Sequence, residues 1–229
     1  VFFSRLDPLD FAQEGHRVEF AEPGNADSEL VFKGVVFNEM KGAMSSSSSV
    51  LWGKMCEHLF PSSTYHYNSG GDPQHIPDLS YEQLQAFYRS HYHPSNAIFM
   101  TFGDIAASSH QSVFEELALR HFGKLSQRIQ VQPEQRLSRP QRVYDSYVFD
   151  DNDTTEHKTH LVIGWMLGES SDLQQLLEAQ LLSSVLLDNS ASPLQHALET
   201  TELGRAPSPL CGLEDSRREV VFCRGIEGS

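Results

Sequence analysis

The chain has 229 residues and a formal net charge of -14, a balance that argues against nucleic acid as a partner, since a polyanion is held by basic faces. No run of the sequence approaches the roughly 18 consecutive apolar residues of a membrane span, so no membrane partner is expected. Cys56, Cys211 and Cys223 are odd in number and lack CxxC spacing, which argues against a zinc ribbon or a disulfide framework. They point to a reducing compartment, cytoplasmic or an organelle lumen.

The first residues, Val-Phe-Phe-Ser-Arg-Leu, have neither Met nor the layout of a signal peptide, and read as the end of a helix already under way. The chain is therefore expected to be a piece of a longer one. Asp7-Pro8 marks a helix start, with Asp as N-cap and Pro at the first helical position, and that short helix should end near Gly15. Residues 16–20 (HRVEF) alternate weakly and suggest a strand. Residues 21–29 form a polar, turn-rich loop.

Residues 31–44 are apolar almost all round when wound as a helix, through Val31, Phe32, Val35, Val36, Phe37, Met40, Ala43 and Met44. A helix of that kind is expected between other layers. Within it Glu39 lies four residues after Val35 and four before Ala43, so its carboxylate projects from an apolar stripe. A carboxylate buried without a partner costs several kcal/mol, so something cationic should meet it, either a Lys or Arg side chain or a metal ion. Spacing leaves both open, the ion pair being the commoner arrangement. Gly42 and the run Ser45 to Ser49 should break this helix and cap the next, Val50 to Leu59.

Pro61 to Pro77 is a long loop dense in turn residues, and long ordered loops are often functional. No GK[ST] follows its glycines, so phosphate cradling is not indicated. Ser80 caps a helix lasting to about Tyr92. His91 and His93 flank Tyr92 beside Pro94, where a structural role is commoner than a metal site. Ala97 to Phe102 (AIFMTF) reads as a buried strand ended by Gly103-Asp104, and Ser108 to Phe122 as an amphipathic helix. Gln127 to Arg142 reads as a linker. Beyond it come a strand at Val143 to Phe149, an acidic turn, a strand at His160 to Leu167 and a helix from Asp172 to Leu187. A short helix, Ser192 to Leu198, with Ser192 as its cap, and a strand, Glu219 to Arg224, complete the pattern. His157 and His160 have HxxH spacing, but they enter a strand, where positions i and i+3 face opposite ways, and are discounted as a metal pair.

In order, FKGVVFNEMKGA (32–43), SGGDP (69–73), IPDLSYEQLQAFYRSHYHPSNA (76–97) and the run ending in Gly103-Asp104 resemble the M16 zinc metallopeptidases, in particular their presequence protease-like branch. HKTHLVIGWMLGE (157–169), SPLQHAL (192–198) and ELGRAPSP (202–209) continue the resemblance. It implies an α/β (α+β) fold of M16 peptidase-like domains, each a twisted, mostly antiparallel sheet with helices on one face. Residues 1–128 would be the remainder of a first domain, 129–142 a linker and 143–229 the start of a second.

The resemblance also implies a zinc-dependent endopeptidase that degrades peptides and unfolded, presequence-like substrates. The family holds Zn2+ through an inverted HxxEH motif and a distal Glu, which Glu39 matches. That makes the metal the favoured partner of Glu39. The Glu within HxxEH would act as base on zinc-bound water attacking the peptide carbonyl. No HxxEH occurs in these residues, and the family's motif order places it upstream of Val1. Both histidine ligands and the catalytic Glu are expected there, so the fragment alone should be inactive. Its implied partners are peptide substrates and the missing N-terminal segment and C-terminal half of the parent chain. The competing class is a non-catalytic M16-like scaffold or subunit.

Overall fold

The computed structural model describes residues 1–126, 128–150, 152 and 154–229. They form two compact units, Val1–Met40 with Gly71–Gln130, and Lys41–Gly70 with Val131–Ser229. The helices are α1 (Pro8–Asp10), α2 (Val35–Ala43), α3 (Ser47–Leu59), α4 (Tyr81–His91), α5 (Ala107–Leu117), α6 (Leu173–Leu187) and α7 (Pro193–Thr200). The strands are β1 (Arg17–Phe20), β2 (Leu30–Lys33), β3 (His160–Glu169), β4 (Ala206–Pro207), β5 (Gly212–Glu214) and β6 (Glu219–Glu227). The mixture of helices and antiparallel sheets is the α/β class expected, and no helix among the described residues is long and apolar enough to cross a membrane.

In the first unit the Asp7 carboxylate accepts from the Leu9 N–H at 2.8 Å and caps α1, which widens into a π turn over Phe11–Gly15. Strands β1 and β2 pair antiparallel, with Val18 opposite Phe32. The helix expected from residue 31 therefore starts only at Val35. Val31 and Phe32 are good strand formers, and β1 gives them a ladder that a lone helix cannot match. Gly34 makes the junction possible: a Cβ there would sit 2.0 Å from the Gly15 carbonyl oxygen.

Helix α4 is fixed by a capping box, with the Ser80 hydroxyl on the Gln83 N–H and the Gln83 side chain returning to the Ser80 N–H. The strand expected at Ala97 to Phe102 is absent. Among the described residues, Ile98 to Phe102 make no backbone–backbone hydrogen bonds, and Ile98 and Met100 are 90% exposed. Phe99 turns instead onto the rings of Phe2 and Phe114, at 5.9 and 4.7 Å. Strand-forming residues make a strand only where a second edge meets them. Helix α5 stops at Leu117 and is followed by a 3-10 turn over Leu119–His121, short of the expected Phe122.

The second unit is built on β6, which pairs antiparallel with β3, β4 and β5. Side chains alternate across it. Val221 and Cys223 face α3 and form the core with Cys56 and Phe60, flanked by Trp52 and Met55. Phe222 and Arg224 face the other way, toward Leu186 of α6 and Leu194 of α7. The helices that follow β3 thus keep to one face, while α3, contributed by residues 41–70, covers the opposite one. Ser46 caps α3 through the Ser49 N–H, so the serine run does cap this helix, which starts at Ser47 and not at the expected Val50. Gly225 lets β3 and β6 close: a Cβ there would lie 2.1 Å from the Leu161 carbonyl oxygen.

Residues 131–142 carry no helix or strand, yet they are firmly anchored within this unit. The Glu134 carboxylate accepts from Ser62 N, Ser62 Oγ and Ser63 N at 3.0, 2.6 and 2.9 Å. Arg136 donates to the carbonyls of Met166 and Leu167. The strand expected at Val143 to Phe149 is absent for the same reason as the first: it meets no edge among the described residues, and Tyr144 and Val148 are exposed. Of the acidic turn expected next, Asp151 and Asp153 lie outside the described residues, as does Gln127 at the start of the expected linker. Ser192 does not cap α7 with its side chain; its hydroxyl accepts instead from the Asn189 N–H at 3.4 Å.

Candidate functional site

Glu39 lies on α2, as expected. Phe37 is the buried residue of that helix and sets its inward face, with its ring 6.3 Å from that of Phe32. Two residues on at about 100° each, Glu39 is carried to the far side and is exposed. Val35, on the same stripe, is exposed as well. The stripe exists, but in this chain it faces outward, so the expectation of a helix packed between layers is corrected. With the carboxylate in water, no burial cost demands a cation. Among the described residues no hydrogen bond or ion pair engages it, which leaves both oxygens able to coordinate or accept.

The histidines considered from the sequence are engaged elsewhere. His91 donates from Nδ1 to the Phe87 carbonyl at 3.0 Å and stacks on the Phe87 ring at 3.8 Å. His93 Nδ1 accepts from the Ser95 N–H at 3.1 Å, fixing the turn at Pro94, and its ring meets Phe122 edge-on. His157 sits at φ 57 and donates to the Gly228 carbonyl at 3.2 Å. His160 lies 3.9 Å from the Glu227 carboxylate. Among the described residues no three His, Cys, Asp or Glu side chains converge in a way that could hold a metal ion.

In the long loop, the Asp72 carboxylate accepts from the Gln74 N–H at 2.8 Å and Gly71 takes φ 92, so that stretch is shaped as a turn. The thiols offer no nucleophile. Burial pushes the Cys223 thiol up to about 12, with the nearby Cys211, Cys56 and Glu214 adding to it. Cys56 is also raised, chiefly by burial, although Arg217 donates to its sulfur at 3.0 Å.

Sequence reading missed the polar groups that order the second unit. Arg217 lies over the Trp52 ring at 5.0 Å, and Arg218 donates to the Val131 carbonyl at 2.9 Å. Arg218 also pairs with Glu169 at 3.2 Å. The adjacent Arg-Arg pair at the foot of a predicted strand was the only signal for them.

A zinc site of this kind needs three protein ligands, and among the described residues Glu39 offers one unengaged carboxylate. By themselves they do not fit the ion.

Residues 78–209 match the family model described as Peptidase M16 inactive domain. The chain belongs to the M16 peptidase family. It is similar along its whole length to proteins named mitochondrial presequence protease. Identity is 39% to that of Xenopus laevis and 37% to that of Mus musculus, in each case over 100% of this chain and 22% of the relative. It is 34% to that of Schizosaccharomyces pombe, over 100% of this chain and 23% of the relative. The chain thus spans about 22% of the length of the curated relatives it matches. Glu39 lies outside the stretch matched by the inactive-domain model.

Proposed function

We propose that this chain is part of a zinc-dependent endopeptidase that degrades peptides and unfolded, presequence-like substrates, and that it is inactive alone. The observation that carries this reading is the similarity of the whole chain to presequence proteases. In the proposal, Glu39 is one ligand of a zinc ion whose other ligands lie in polypeptide outside these residues. Its exposed, unengaged carboxylate on α2 is compatible with that role. The domain limits of 1–128, 129–142 and 143–229 belong to the same proposal. So does residence in an organelle lumen, supported by the word mitochondrial in the relatives' names.

A second reading, a non-catalytic scaffold, is favoured by the inactive-domain match over 78–209. The scaffold reading gives Glu39 no role as a metal ligand. Replacing Glu39 by Gln in the full-length protein separates the two readings. The ligand reading expects weaker zinc retention and a loss of peptide cleavage by orders of magnitude. Because Glu39 is exposed, melting should be unchanged. Unaltered zinc content and turnover in Glu39→Gln would overturn the assignment.

A further inference from the structure

The face of the second unit's sheet turned toward α6 and α7 holds a shallow cavity, wide open to solvent, of about 450 Å³. Its floor is aromatic: Trp165 of β3 and Phe222 of β6 are directly opposed in register, their ring centroids 6.2 Å apart. Leu186 of α6 and Leu194 and Ala197 of α7 form apolar walls. One lining residue is charged. Arg224 follows Phe222 by two positions on β6, so it projects from the same face, and its guanidinium lies 5.2 Å from the Trp165 ring centroid. Among the described residues Arg224 has no ion pair and no hydrogen-bond acceptor, and no acidic side chain lines the cavity.

The ring holds the guanidinium by its π-face, which leaves the planar fork of N–H donors free at the edge. Such a fork matches a carboxylate in bidentate geometry. In a chain of net charge -14, a cation without an acidic neighbour at the mouth of an apolar cavity is a selective feature. The open cavity is wide enough for one or two side chains.

We propose that this cavity binds the C-terminal residue of a peptide, with its carboxylate on Arg224 and its apolar side chain on Trp165 and Phe222. A C-terminal residue carries both groups on one carbon, as the adjacent cation and aromatic floor require. The choice of a peptide over other acids rests on the peptidase reading above. An end-anchoring cavity would hold a peptide by its terminus without regard to its internal sequence.

The test is titration of the full-length protein with N-acetyl-phenylalanine, which mimics a C-terminal residue, followed by calorimetry or by NMR of the Trp165 indole. Saturable one-to-one binding is expected. It should weaken about tenfold or more for N-acetyl-phenylalanine amide, which lacks the charge that a bidentate pair needs. Arg224→Met should produce the same loss while melting as the parent protein does, and Arg224→Lys should recover part of it. Equal binding of acid and amide, or unchanged binding by Arg224→Met, would overturn the proposal. Tighter binding of 3-phenylpropionate than of N-acetyl-phenylalanine would overturn it too, by making the ligand a free aromatic acid. Peptide cleavage is scored separately. Cleavage without binding rejects the cavity assignment alone, and binding without cleavage rejects only the peptidase reading.

Discussion

The backbone N–H of Glu134 donates to the Glu219 carboxylate at 2.8 Å, so one buried acid holds the segment that carries another. Glu134 and Glu219 are 7% and 3% exposed. Together they join the residues after α3, the segment at 131–142 and the start of β6. Glu219→Ala would strand the Glu134 N–H, and Glu134→Ala would strand the backbone N–H groups of Ser62, Ser63 and Gln135 and the Ser62 hydroxyl. An unsatisfied buried group costs about 1–3 kcal/mol. Chemical denaturation should place Glu134→Ala lower than Glu219→Ala, and both well below the parent. Equal stability of all three would refute the anchoring role.

The same carboxylate sets an acid limit. Burial pushes the Glu134 group up, but hydrogen bonds from Ser62, Gln135 and Ser63 outweigh it and hold it below its ordinary value of 4.5. A carboxylate lowered in the folded state contributes stability above its unfolded pKa and loses it as pH falls through the folded one. Denaturation midpoints measured from about pH 7 to about pH 3 should therefore decline below the ordinary carboxylate value. Glu134→Gln should flatten that decline. A variant with the same acid slope as the parent would assign the sensitivity to other groups.

Gly225 tests the closure of β3 on β6. A methyl group there meets the Leu161 carbonyl oxygen and the Val162 Cα, at 2.1 and 2.8 Å, and both are backbone atoms that cannot swing away. Gly225→Ala should cost about 3 kcal/mol, the upper end of overpacking. Gly42→Ala, with nothing within 4 Å, should be neutral or mildly stabilising on its helix. Thermal melting of the pair would check the contrast, and similar midpoints would count against the strand register.

The thiols provide a chemical probe of the core. Cys223 is 2% exposed and Cys56 4%, and burial raises both. Iodoacetamide at about pH 8 should leave both unmodified in the native protein, because thiolate is the reacting form. Both should react in urea. Rapid native alkylation of Cys223, read by peptide mass, would contradict the packing of α3 on β6.

What could be read from the sequence was local. Asp7, Ser46 and Ser80 announce helix starts because each cap bonds a group two or three residues away. The strong patterns of β3, α6 and β6 were equally plain. The segments at 97–102 and 143–149 looked like strands because propensity records what a residue tolerates, while a strand also needs a second edge. Residues 31–33 looked helical because a run apolar on every side fits either period. Glu134 and Glu219 gave no signal, since their bonds span 72 and 85 positions. For the candidate site, the helix under Glu39 was legible and its exposure was not. That depended on which face Phe37 claimed.

The bare stretch Ala97 to Phe102 also bears on handling the isolated chain. Six uncharged residues without Pro or Gly, rich in strand formers and free of any ladder among the described residues, have the composition that stacks into cross-β fibrils. Each copy offers its unpaired amides and carbonyls to the next. Concentrated solutions of residues 1–229 should thus lose solubility with a lag and a thioflavin signal. A single lysine at Met100, which points into solvent, should act as a gatekeeper and keep the protein in solution without touching its core.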